Sequence, residues 1–256
     1  MNSVSQQTTW TKITYFALVA LVTAIAPGSL VAQSVDDPDV SGNWRIERQP
    51  YSCGEWNLDQ FGNVRAGCAI SIDELPLNKR ARAWAEFYDE PMAAMWDCVP
   101  ASLPSLLGDS FPWNLSQKSD RITIWYEHDD TVRTVWMDGR RHPFVGELFY
   151  MGHSIGWYEG ETLVIETTNF TFDPDGMDDH GHIATSVRKR LTERYTQTGP
   201  DSLEMAITLE DPLFLTEPYT WVRQLNRSDV GPESWGECDL DQSRRQLESL
   251  PSKYDE

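Results

Sequence analysis

The chain has 256 residues, 40 % of them hydrophobic and 24 % charged, and a formal net charge of −19. A surface this acidic repels phosphates and anionic lipid, so nucleic acid is excluded as a natural partner, while divalent cations and an exported, soluble existence fit it. No G-x-S-x-G elbow, Gly-rich phosphate loop, C-x-x-C pair or internal repeat is present, which removes the commonest hydrolase, nucleotide-binding and redox signatures.

Residues 1–32 read as a signal peptide. Lys12 is their only charge, and the apolar run ITYFALVALVTAIA that follows is shorter than the roughly 20 residues a bilayer span needs. Cleavage after Ala32 is expected; an uncleaved anchor is the alternative. About 224 residues would then remain, with a net charge of −20 once Lys12 is gone. No later segment is apolar enough to span a membrane.

Residues 33–111 form an N-terminal extension. SGNWRIER (41–48) begins as a strand, the Gly-containing span 49–74 holds two cysteines, and LNKRARAWAEFYDEP (77–91) is the clearest helix. Asn78 can cap it, Leu77, Ala81, Trp84 and Phe87 or Tyr88 repeat on one face, and Pro91 stops it. The four cysteines allow three pairings. The reading favours Cys53–Cys68, worth about 3 kcal/mol, and Cys98–Cys238, which ties the start of the following region to its end.

From residue 112 the period of the pattern becomes two. In RITIWYEH, Ile122, Ile124, Tyr126 and His128 share a face. HDD turns the chain, and TVRTVWMD puts Val132, Thr134 and Trp136 on one side. GHSIGWY and ETLVIETTNF form a hairpin across Glu159-Gly160. TSVRKRLTERY puts Val187, Leu191 and Tyr195 opposite Arg188, Arg190 and Arg194. LEMAITLE turns Leu203, Met205, Ile207 and Leu209 inward and Glu204 and Glu210 outward, and YTWVRQL ends the series. Eight or nine strands with short links predict an all-β fold: an antiparallel meander over 112–238, closed into a lipocalin-like β-barrel with the N-terminal helix packed outside. Residues 239–256 are a charged tail with room for a short helix.

The segments CVPASLP, RITIWYEHDDTVRTVWMDGRRHP, GHSIGWYEGETLVIETTNF and LEMAITLEDP, with the patterns MDGRxHP and GHSxG…EGETLV, resemble a family of exported bacterial proteins. The resemblance implies a barrel-like all-β domain and no particular reaction. This chain departs from it in a longer link between RRHP and GHS. The early G-N-W also resembles the G-x-W start of lipocalins.

All five histidines lie between His128 and His182. His180 and His182, one residue apart on extended chain, turn to the same side and can share a metal, with His153 or His142 as third ligand. Zinc held by three imidazoles with one open position would be hydrolytic. The competing reading is a polar loop with exposed histidines. DPDGMDD (173–179) offers four aspartates to calcium, but its spacing is not that of an EF-hand, and Asp-Pro-Asp-Gly reads as a turn. Ser154 beside His153 makes no triad, because adjacent strand residues face opposite ways.

Three functions follow, in order. The first is a binding protein for a small apolar or aromatic molecule, with Trp125, Trp136 and Trp157 as aromatic walls and Tyr126, His128 and His142 as polar groups. Among the strand tryptophans Trp125, Trp136, Trp157 and Trp221, at least two are expected in the core. The second is an enzyme of the hydrolase or lyase type with His153 and His182 as acid/base groups or metal ligands, Asp179 orienting a histidine and Arg133 holding an anionic group. The third is a structural module of the cell envelope.

Overall fold

A computed structural model describes residues 38–47, 74–108, 110–178 and 183–248. The expected signal peptide, the Cys53–Cys68 bridge, Asp179, His180 and His182 lie outside these residues.

Among the described residues, eleven strands and two α-helices follow one another: β1 (Gly42–Ile46), α1 (Lys79–Phe87), β2 (Trp113–Gln117), β3 (Arg121–Tyr126), β4 (Val132–Trp136), β5 (His153–Glu159), β6 (Thr162–Thr168), β7 (Asp173–Asp178), β8 (Ile183–Thr185), β9 (Arg190–Gly199), β10 (Ser202–Glu210), β11 (Tyr219–Arg227) and α2 (Leu240–Leu247). Nine strands close a barrel in the order β1-β11-β10-β9-β6-β5-β4-β3-β2, and β7 and β8 pair separately. The fold is therefore the expected all-β barrel. β1, from the N-terminal extension, closes it by pairing with both β2 and β11.

One barrel pair departs from the antiparallel order. β4 and β5 run parallel, Val135 opposite Ser154 and Trp136 opposite Ile155. The link over 137–152 is long enough to carry the chain back to the starting end, which a two-residue hairpin cannot do.

Alternation builds the core. Ile122, Ile124 and Tyr126 of β3, and Leu203, Met205, Ile207 and Leu209 of β10, are all buried. Each such aliphatic side chain contributes about 1.5–3 kcal/mol relative to an exposed one. Trp44 and Trp113 close one region of the wall as Cα partners, and the Trp44 indole donates to the Val40 carbonyl at 2.9 Å. Gly42, at φ +132°, is where Arg227 crosses this corner; a Cβ there would lie 2.2 Å from its guanidinium nitrogen.

Two local expectations shift. Glu159 pairs with Thr162, so the hairpin turn is Gly160-Glu161, one residue later than expected. Gly160 has φ +62°, which a II′ turn requires at its first central position. DPDGMD is a strand with an irregular register rather than a turn. Met177 is buried and supplies the apolar anchor that turn chemistry lacks.

α1 is capped by Asn78, whose side chain accepts from the amides of Arg80 and Ala81. It buries Ala81 and Ala85, and Trp84 donates to the Pro174 carbonyl at 2.8 Å, so the helix sits outside the barrel on the β7–β8 pair. It ends at Phe87, four residues short of Pro91: Tyr88 is already extended and turns inward, while Phe87 is exposed. Cys98 and Cys238 are joined, S–S 2.01 Å, as expected. The bridge brings α2 to the turn at 94–97, where Arg244 pairs with Asp97.

Candidate functional site

The barrel interior holds a buried polar network. Arg133 projects inward from β4 and all five of its N–H groups are used. Nε donates to Ser154 Oγ (2.9 Å); Nη1 donates to Tyr126 Oη (3.3 Å) and Glu193 Oε2 (3.1 Å); Nη2 donates to Thr167 Oγ1 (2.8 Å) and Glu193 Oε1 (2.6 Å). Tyr195 Oη donates to Glu193 Oε2 at 2.8 Å. The Arg133 and Glu193 side chains are 1 % and 0 % exposed. Burial works against the Arg133 charge, but Glu193 outweighs it and holds the guanidinium pKa above its ordinary value. Burial pushes the Tyr126 phenol up to about 12. Arg133 was expected to hold a ligand's anionic group; the anion it holds is Glu193, and solvent does not reach it.

A second cluster lies on the outer wall. His153 on β5 and Glu166 on β6 both face outward, beneath the crossover link over 137–152 that carries His142. His142 Nδ1 is 3.0 Å from His153 Nδ1, and His142 Nε2 is 3.1 Å from Glu166 Oε1. Arg190 of β9 donates to the other oxygen of Glu166. The crossover is pinned from β6 by Asn169, which donates to the carbonyls of Phe144 and Glu147. Burial lowers the pKa of His153, with help from His142 and Arg140 and against Glu147 and Asp138, so its imidazole is neutral at neutral pH.

The crossover also exposes apolar side chains next to this cluster. Phe144 and Val145 are 82 % and 83 % exposed, Leu148 and Phe149 about half as much, and the Phe149 ring is 6.2 Å from His153. Arg140 lies over the Trp136 ring at 3.6 Å while pairing with Asp138.

The remaining expected residues disperse. The strand alternation ends at Tyr126, because Glu127 already adopts helical φ −61° and ψ −37° at the entry to the HDD turn. His128 therefore leaves the Tyr126 face and packs against Phe111 and Trp235 at 5.6 and 5.3 Å, away from the barrel interior. Trp125, Trp136 and Trp157 are half-buried on the outer face, and of the four strand tryptophans only Trp221 is buried. Parity places them there: each neighbours an inward residue in its strand. Among the described residues, Trp44 and Trp113 join Trp221 in the core.

Among the described residues, no group of three or more His, Cys, Asp or Glu is placed to hold a metal ion. Sequence reasoning passed over Glu166, Arg190, Glu193 and Lys189. Parity alone could have found Glu193, which shares a face with Leu191 and Tyr195. Lys189 is buried, donates to the Leu103 carbonyl and to Thr185 Oγ1 (2.7 Å), and lies 4.3 Å over the Phe170 ring. Burial lowers its pKa to about 8, against the pull of Asp173 and Asp211.

Compared with protein-family models, with curated proteins and with solved structures, the chain finds no match in any of the three. Among the described residues, no helix is long and apolar enough to cross a membrane.

Proposed function

We propose that this is an exported β-barrel protein that binds a small apolar or aromatic molecule on the outer wall, between His153 and the crossover link. The observation that carries the reading is the half-buried His153 ring 6.2 Å from the exposed Phe149 ring, under a crossover that also exposes Phe144. Apolar side chains gathered around a polar group that can accept a hydrogen bond are how proteins hold small aromatic ligands. The filled interior supports an outer site over a central cup, because Arg133, Glu193, Tyr126 and Tyr195 occupy the middle of the barrel. Export is supported by the N-terminal apolar run and by the Cys98–Cys238 bridge, a bond kept in oxidising compartments.

Fluorescence titration of the oxidised protein with an anilinonaphthalene dye tests it. Saturable binding weakened at least fivefold by Phe149→Ser or Phe144→Ser is expected. Binding indifferent to both substitutions refutes the location, and no binding refutes the function.

A second reading, an enzyme, is favoured by the hydrogen-bonded series from Glu166 through His142 to His153.

A further inference from the structure

We propose that Glu166, His142 and His153 form a proton relay, in which His153 Nε2 is a general base for the hydroxyl of a phenol-like ligand. The assignment rests on the binding reading above and adds the chemistry of its ligand.

With His142 taken as neutral, the hydrogen-bond inventory selects one set of tautomers. Glu166 Oε2 accepts from Arg190, and a carboxylate oxygen can only accept. Oε1, 3.1 Å from His142 Nε2, therefore requires the proton on that nitrogen. A neutral His142 then has a bare Nδ1, which must accept. Its partner at 3.0 Å, His153 Nδ1, must donate. In neutral His153 this leaves Nε2 with a free lone pair. Each assignment follows from the one before, and Glu166 begins the series.

The same contacts define what happens when a proton arrives. The ligand O–H bond breaks and an N–H bond forms at His153 Nε2. The proton on His153 Nδ1 crosses to His142 Nδ1, which becomes an imidazolium next to the Glu166 carboxylate. The ligand is left as its anion, and the charges balance without any further reactant. His153 touches the ligand; His142 and Glu166 are positioning residues that place the positive charge beside a fixed negative one. The surrounding surface selects the ligand. An exposed Phe149 ring 6.2 Å from His153 suits an aromatic body, and a bare imidazole nitrogen suits a hydroxyl.

Two measurements test the assignment. Two-bond 1H–15N spectra of histidine-labelled protein, at a pH about two units above the ordinary imidazole value of about 6.5, read each tautomer directly. Nε2–H at His142 with Nδ1–H at His153 is expected; Nε2–H on both rings overturns the relay. Bound zinc with both Nδ1 atoms ligated also overturns it. The second measurement follows p-nitrophenol through the visible band of its anion. Bound probe is expected to be more ionised than free probe by roughly tenfold, one pKa unit. Glu166→Gln should lose that gain and, by linkage, weaken binding by up to the same factor at pH values where the free probe is ionised, while binding of the neutral phenol at acid pH changes little. Probe bound as the neutral phenol overturns the base while leaving the binding site in place. Expected tautomers with no p-nitrophenol binding refute the ligand class, and failure of the dye titration as well refutes the binding reading beneath it.

Discussion

Replacing Glu193 by Gln removes the only anion bonded to Arg133 among the described residues while keeping nearly the same shape. The guanidinium is 1 % exposed and its N–H groups are directed at Glu193, Tyr126, Ser154 and Thr167, so no water can substitute. An uncompensated buried charge of this kind costs about 3–5 kcal/mol. For a domain of this size each kcal/mol is worth about 2–4 °C, so the melting temperature should fall by roughly 6–20 °C. Arg133→Met should cost a similar amount, since it leaves Glu193 with the Tyr195 hydroxyl as its one remaining hydrogen-bond donor of those described. The double variant Arg133→Met/Glu193→Gln should cost less than the two singles added, by about 2 kcal/mol or more, because neither charge is then stranded. It does not return to wild type, since the Tyr126 hydroxyl loses its Arg133 partner, which costs about 1–3 kcal/mol. Urea unfolding of the oxidised protein, followed by tryptophan fluorescence, gives all four corners of the cycle. Additive singles, or a Glu193→Gln cost below about 1 kcal/mol, would show that the network is hydrated or loosely formed, and the account of the interior would fail.

Cys238→Ser removes a bridge that closes a loop with a sequence separation of 140 and should lower stability by up to about 5 kcal/mol; peptide mapping that finds Cys238 paired elsewhere refutes the connectivity. The Lys189 pKa is lowered to about 8, so the unfolded chain binds more protons than the folded one between about pH 8 and the ordinary lysine value of 10.5. Stability should therefore rise across that window, by about 3 kcal/mol in total, and the cost is fully present below it. Lys189→Met should flatten this rise in urea melts across pH, and an unchanged slope would count against a desolvated ammonium. Asn78→Ala removes both the α1 cap and the bond from its amide to the Leu213 carbonyl, costing about 1–2 kcal/mol; a loss under a few tenths in the same unfolding assay would mean that α1 is held by packing alone.

Much of the barrel was legible because inward and outward residues differ in polarity along β3 and β10. The outer tryptophans misled for the same reason: Trp125, Trp136 and Trp157 are large and apolar, yet parity turns them outward, where Arg140 stacks on one and Glu159 accepts from another. Glu193 and Arg133 were hidden by the opposite mismatch, charged residues on inward positions, which become reasonable only when each is seen to satisfy the other. The paired histidines were half legible. Both rings were suspected, but nothing in the one-dimensional pattern links positions 142, 153, 166 and 190.

By itself the amino-acid order determined the period of the strands, the cap and start of the outer helix and the closed all-β architecture, and it narrowed the cysteine pairings without choosing among them. These depend on residues near one another in the chain, or on a count of what is left to pair. Only the tertiary structure decided which strands run parallel, that the interior is filled by an ion pair, and that His142 and His153 meet under the crossover on the outer wall. Those outcomes depend on contacts between distant strands, where the requirement that each buried charge meet a partner and each hydrogen-bond donor an acceptor selects one arrangement among many with the same local pattern.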